Sequence, residues 1–316
     1  MTALRLQGVL FCAIATGVAC AAAAGAALAL DGAAGLLPLA ALILLLGVPH
    51  GALDTLFAEE LHGVHGLRGW CYFALAYLGA ALLVLLVWQA APTWSLAGFL
   101  LLSALHFSGD PARGTGIASR LLYGGALIVL PAQLHGSELA RLFAFLAPPQ
   151  AAAALASGLH DLSGPWLLAT ALTAAWQART NWLTGLEMAA AAALALLAPP
   201  LPAFTVFFCA MHSARHIVRT WHYVGGGGGA GAKAGGKSEA GAAARLGRAA
   251  VLPMLATLVL GGTAAYCLRA QPIEAGLMQL VFVGLAALTV PHMALVEQAR
   301  WSGWVNRRMT RAAPVT

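Results

Sequence analysis

The residues best equipped for chemistry are histidines set into apolar runs. Five of them stand in short polar clusters: His50 in Gly47-Val48-Pro49-His50-Gly51-Ala52-Leu53-Asp54, His106 in Ser103-Ala104-Leu105-His106-Phe107-Ser108-Gly109-Asp110, His212 and His216 in His212-Ser213-Ala214-Arg215-His216, and His292 in Pro291-His292-Met293-Ala294-Leu295-Val296-Glu297. Ionisable groups inside membrane segments are costly to bury and mark functional sites by default. His212 and His216 are four residues apart, so both project from one helical face and can bind one ion. Asp54 follows His50 by four residues and Asp110 follows His106 by four. A carboxylate one turn away can hydrogen-bond that imidazole, or a neighbouring ligand, and fix its tautomer. Imidazole nitrogens without thiolates suit iron, copper or zinc better than magnesium or calcium. A single histidine at a helix end is ordinarily an interfacial polar residue; it is the set of five that points to a shared site.

These residues need a scaffold, and composition says which. The chain has 316 residues, of which 60% are hydrophobic and 9% charged, against about 25% charged in soluble domains. Apolar runs long enough to cross about 30 Å of hydrocarbon recur along the whole length. They read as ten segments, at 6–30, 34–52, 70–90, 94–109, 117–134, 163–178, 182–199, 202–223, 249–268 and 274–299. The expected fold is all-α, a polytopic transmembrane bundle of about eight to ten helices forming a single membrane domain over 1–316. The first run is too long for the core of a signal peptide and reads as a spanning helix. Residues 135–162, with Pro148-Pro149 and an alanine-rich piece, are expected as short interfacial or re-entrant helices. The Gly- and Ala-rich stretch 225–244 is expected as a flexible cytoplasmic linker, and it lacks the spacing of a phosphate-binding loop.

Charge placement orients the bundle. With the N-terminus inside, the inner loops and tails hold 15 Lys and Arg and the outer loops hold only Arg141 and Arg269, as the positive-inside rule requires. The net charge of +6 is thus explained by membrane topology and implies no nucleic acid partner. Both termini are expected in the cytoplasm. At about 1.5 Å per residue, His50 lies roughly 24 Å, His106 roughly 18 Å, His212 roughly 15 Å, His216 roughly 21 Å and His292 roughly 27 Å from the outer ends of their segments. All five fall in the inner half. His62, His65, His135, His160 and His222 read as ordinary polar residues in loops or at interfaces, and Arg215 as a partner of Asp54, Asp110 or Glu297, or as a cytoplasmic anchor. Eight tryptophans near segment ends (Trp70, Trp88, Trp94, Trp176, Trp182, Trp221, Trp301 and Trp304) read as an interfacial belt. Cys12, Cys20, Cys71, Cys209 and Cys267 read as buried free thiols.

The four motif clusters, in this order over residues 49 to 297, resemble the Brp/Blh family of bacterial and archaeal membrane β-carotene 15,15′-dioxygenases. The matching pieces are Pro49 to Asp54, His106-Phe107, His212 to His216 and Pro291 to Glu297. Ser108 stands where the family usually has Gly, and the 225–244 stretch looks like an insertion. The resemblance implies an all-helical membrane enzyme that uses non-haem Fe(2+) and O2 to cleave a carotenoid at its central double bond, giving retinal from β-carotene. It implies that His50, His106, His212 and His216 ligate the iron, with His292, Asp54, Asp110 and Glu297 in support. It further implies a polyene taken directly from the lipid bilayer of a bacterial inner membrane, and a product that can supply a retinal-binding protein.

Two other readings compete on the residues alone. A bis-histidine haem protein for electron transfer also places histidines on different membrane helices, though it prefers well-separated pairs. A transporter or channel would line a continuous polar path, and the outer half of the segments is nearly free of polar residues. Topology gives the first test. Reporter fusions after Gly229 and Thr316 should behave as cytoplasmic, and a periplasmic result at either would undo the depth that the five histidines share.

Overall fold

The computed structural model describes residues 2–26, 32–225 and 239–298, and all its regular elements are helical. Helix starts follow local chemistry. Thr2 caps α1 (Ala3–Ala23), its hydroxyl accepting from the Arg5 amide at 3.4 Å. The next run is broken into α2 (Gly32–Leu42), a π-helical turn at Ile43–Gly47, the short α3 (Pro49–Ala52) and α4 (Asp54–His62). Gly63 ends α4 in the left-handed region at φ 60°, where a residue without Cβ carries no penalty. Proline opens α6 (Pro92–Phe107), which comes after α5 (Gly66–Ala90), and also opens α8 (Pro131–Phe143) after α7 (Ile117–Val129). At a first helical turn its missing N–H costs nothing.

The middle of the chain departs from expectation. Residues 135–162 do not form separate short helices, and 163–178 is not a segment of its own. Residues 135–143 belong to α8, whereas 149–162 and all of 163–178 belong to α9 (Pro149–Thr180), a single helix of 32 residues. Pro149 begins this helix, and the alanine-rich stretch after it has the highest helix propensity. One face of it carries the buried Ala152, Ala156, Ser163, Thr170 and Ala174. The polar His160 and Asp161 lie on its exposed side. Asn181 then caps α10 (Trp182–Leu197), accepting from the Thr184 amide at 3.3 Å.

The last third contains α11 (Pro200–Val206), a second π-helical turn at Phe207–Ser213, and α12 (Ala214–Gly225). It continues with α13 (Glu239–Leu268), α14 (Ile273–Met278), a third π-helical turn at Gln279–Val283, and α15 (Gly284–Gln298). Residues 226–238, most of the expected linker, lie outside the described residues. The expectation fails for its last part, because α13 already begins at Glu239. Ala242 there is fully buried beside Leu53, Leu56 and Val224, so this alanine-rich turn has a face to pack. Arg245 ties the same turn to α4 through Glu59 at 3.2 Å and Glu60 at 3.4 Å.

Among the described residues, five helical stretches are long and apolar enough to cross a membrane: Ala3–Ala23, Ala34–His62, Gly66–Ala90, Gly241–Leu268 and Ile273–Gln298. The pair α7 and α8, bent by 45°, would make a sixth, and α6 and α10 are shorter apolar helices. The bundle is therefore that of a helical membrane protein. Leu75 on α5 and Leu252 on α13 are 70% and 75% exposed, and such outward apolar surface is stable against lipid tails rather than water. This geometry corrects the cysteine reading: Cys12 is buried, but Cys20, Cys71 and Cys267 are exposed, small apolar groups on the outer surface. Trp94, Trp176 and Trp182 are exposed, whereas Trp88 is in the core, its Nε1 donating to the Leu146 carbonyl at 3.1 Å.

The core centres on α1, α10 and the second π-helical turn, with Phe11, Met188, Leu194, Phe207 and Met211 fully buried. Beside it α7 clamps the end of α6. A Cβ on Gly124 would stand 2.1 Å from the Ala104 carbonyl oxygen and 2.5 Å from the Ser108 nitrogen, so the two backbones meet where only glycine fits. Gly124→Ala should push α6 and its His106 outward and cost about 1–3 kcal/mol, the usual range for overpacking. Thermal unfolding in detergent checks this against Gly98→Ala, whose Cβ meets nothing within 4 Å and should melt near the wild type.

Candidate metal centre

Five elements bring the five motif histidines together. His50 comes from α3, His106 from the last turn of α6, His212 from the second π-helical turn, His216 from the first turn of α12, and His292 from α15 just after Pro291. All are at most 9% exposed. The rings form a closed circuit. His106 lies 4.4 Å from His212, His212 5.0 Å from His50, His50 5.4 Å from His216, His216 5.2 Å from His292, and His292 5.1 Å from His106, between centroids. Nitrogens of His50, His106 and His212 all lie within 4.8 Å of one another, the spacing of donors that can share one ion.

The π-helical turns account for part of this convergence. Each inserts an extra residue per turn and rotates the helix beyond it, and such turns concentrate at functional sites. One immediately precedes the His50 helix, one carries His212, and one precedes the His292 helix. The first and second also touch closely: a Cβ on Gly47 would lie 2.4 Å from the Phe208 ring. Phe208 in turn packs against His50 at 5.4 Å and Phe107 against His212 at 5.0 Å. These aromatic walls exclude water from that side of the cluster.

The hydrogen bonds show which nitrogen each ring presents. His50 Nδ1 lies 2.5 Å from the Gly47 carbonyl, which can only accept, so Nδ1 carries the proton. His212 Nδ1 donates to the Asp110 carboxylate at 3.0 and 3.1 Å. His292 Nδ1 donates to Asp54 at 2.7 Å, and Tyr77 donates to the same carboxylate at 2.8 Å. Asp54 and Asp110 thus serve histidines on other helices rather than those one turn before them. With Nδ1 committed, Nε2 is left as the lone-pair donor, the arrangement of metal-binding histidines. Nε2 of His212 and of His292 is buried without a hydrogen-bond partner among the described residues, which is unfavourable unless something else occupies the lone pair. The donor set fits iron, copper or zinc.

An ion-pair layer missed by the sequence reading supports the cluster. Arg215 pairs with Glu187 on α10 at 2.5 Å and 2.9 Å, and not with the carboxylate of Asp54, Asp110 or Glu297. Its Nε donates to Gln7 Oε1 at 2.9 Å, and Gln7 Nε2 donates to the Ala210 carbonyl at 2.8 Å. Arg215 also reaches the Asp110 main-chain carbonyl at 3.1 Å, and Arg219 holds the Gly109 and Asp110 carbonyls at 2.9 Å and 2.6 Å. Two guanidinium groups therefore fix the chain that aims Asp110 at His212. The available signal was Glu187 itself, a lone carboxylate inside an alanine-rich apolar run. Glu297 is half-buried five residues past His292. His62, His65, His160 and His222 are exposed, and His135, placed in a helix instead of a loop, is half-buried.

The geometry also bears on the competing readings. Rings in direct contact leave no gap for a porphyrin between any adjacent pair. The buried histidines form one closed cluster, not a file of polar groups along a path.

Comparison with known proteins agrees with the motif order. The chain is 27% identical to a beta-carotene 15,15'-dioxygenase of an uncultured marine bacterium, 66A03, over 81% of this chain and 91% of that protein. It is 30% identical to a probable beta-carotene 15,15'-dioxygenase, Blh, of Halobacterium salinarum, over 85% of this chain and 84% of that one. No solved structure matches. The sequence profile of the family described as beta-carotene 15,15'-dioxygenase matches residues 41–299, a span that takes in every histidine of the cluster, and the chain belongs to that family.

Proposed function

We propose that the protein is a non-haem iron dioxygenase that cleaves β-carotene, or a closely related carotenoid, at its central 15,15′ double bond to give retinal. The observation that carries this reading is the set of buried imidazoles whose Nδ1 protons are committed to Gly47, Asp110 and Asp54. His50, His106, His212 and His216 would hold the metal through neutral imidazoles. Bound Fe(2+) would supply the one-electron chemistry that lets O2 react with an alkene. The chain's residues do the rest: they hold the donor nitrogens in place, bury the reacting bond and keep water away.

The substrate is apolar and lives in the bilayer. Between α2, α11 and α14 an apolar cleft opens on the bundle surface, lined by Leu36, Ile43, Leu201, Thr205, Met278 and Phe282. From it an aromatic row leads inward, with Phe282 5.2 Å from Phe204, Phe204 stacked 5.3 Å from Phe208, and Phe208 5.4 Å from His50. We infer that a polyene enters along this row, held by burial and by aromatic contacts. Cleavage converts one C=C into two C=O with the atoms of one O2, so no hydrolytic nucleophile is needed. A setting in the bacterial inner membrane with both termini cytoplasmic suits a lipid-borne substrate, and retinal so released could pass to a retinal-binding protein.

His50→Ala, His106→Ala, His212→Ala and His216→Ala should each abolish retinal formation and lower iron affinity at least about tenfold, since even residues that only support ligands are worth 10–100-fold. His62→Ala, on the exposed surface, should be near neutral. Expression in a β-carotene-producing bacterium checks this by loss of orange colour, retinal in extracts and iron per purified protein. Wild-type cleavage by the His212→Ala enzyme would remove the metal reading. Leu201→Trp should fill the cleft, raising KM for β-carotene while iron content stays unchanged; an unaltered KM would move the entry route elsewhere.

A further inference from the structure

His292 closes the circuit of rings, outside the trio of His50, His106 and His212 whose nitrogens lie within 4.8 Å of one another, and the family resemblance places it only in support. Its centroid is 5.1 Å from His50, 5.1 Å from His106 and 5.2 Å from His216. It is the ring through which the circuit passes between His106 and His216. Its Nδ1 donates to Asp54, and its Nε2, in a residue 3% exposed, has no hydrogen-bond partner among the described residues. A histidine serving only to fill space would more cheaply be an apolar residue, because a buried nitrogen without a partner is costly.

The way it is held repeats the way His212 is held. Each ring donates Nδ1–H to a buried aspartate on another element: Asp110 for His212, and Asp54 for His292. Each aspartate segment is in turn anchored, Asp110 through main-chain contacts to Arg215 and Arg219, and Asp54 through the Tyr77 hydroxyl on α5. A carboxylate that accepts from both a tyrosine and an imidazole keeps the Nδ1 proton in place and leaves Nε2 basic. We propose that His292 is a fifth imidazole of the metal centre and that Asp54 and Tyr77 are the positioning residues that orient it. This rests on reading the cluster as a metal site.

The test uses full-length protein purified in detergent, with Fe(2+) affinity measured by chelator competition and the visible spectrum recorded after Co(2+) substitution. His292→Ala should bind Fe(2+) at least about tenfold more weakly and shift the Co(2+) bands, which report the nitrogen donors around the ion. Tyr77→Phe keeps the aromatic packing on α5 and should weaken affinity several-fold with a smaller spectral shift. Should His292→Ala fail to accumulate, Tyr77→Phe decides alone. Wild-type affinity with an unchanged Co(2+) spectrum in these variants overturns the proposal. His212→Ala separates the two levels: if it loses the metal while His292→Ala keeps it, only the fifth imidazole falls. If His212→Ala also binds as the wild type does, the metal-centre reading falls with it.

Discussion

Everything else in this fold serves one constraint: imidazoles buried in an apolar bundle must each give their Nδ1 proton to an acceptor. A buried polar hydrogen without a partner costs several times what a typical hydrogen bond contributes. Gly47 accepts locally from His50, three residues on, but Asp110 and Asp54 accept from rings on distant elements, so satisfying His212 and His292 also fixes how those segments pack. Nitrogens of His50, His106 and His212 come within 4.8 Å of one another. Stability and site geometry are thus set by the same contacts.

The aspartates bring a second cost, since a buried carboxylate must itself be supported. Asp54 is supported by Tyr77. The Asp110 segment is supported by Arg215 and Arg219 through its carbonyls, and Arg215 is balanced by Glu187 and Gln7. Breaking one partner of such a buried pair is far more damaging than the pair is stabilising. The layer therefore links α1, α10, α12 and the end of α6 into one unit around the cluster. A Cβ on Gly8 would stand 2.1 Å from the Glu187 carboxylate, which shows how closely α1 must approach to complete it.

Much of this was legible in the residues and their spacing. Low charge and recurrent apolar runs identified a helical membrane bundle, and the depth shared by His50, His106, His212, His216 and His292 pointed to one cluster. The crossed pairing of Asp54 with His292 and Asp110 with His212 was not legible, because i,i+4 spacing reports neighbours within a helix and not across helices. Nor were the π-helical turns, since one extra residue in an apolar run leaves the composition unchanged. Glu187 was overlooked because its partner lies 28 residues away. The long α9 was divided between residues 162 and 163, whereas the helix runs unbroken from Pro149 to Thr180.

The central claim is that buried imidazoles hold one iron ion. X-ray absorption at the iron edge of the purified, iron-loaded protein tests it most directly. The account predicts a first shell of nitrogen at about 2 Å, with the outer-shell multiple scattering of four or five imidazole rings. A first shell containing sulfur at about 2.3 Å, a porphyrin pattern, or an absence of imidazole scattering would contradict it.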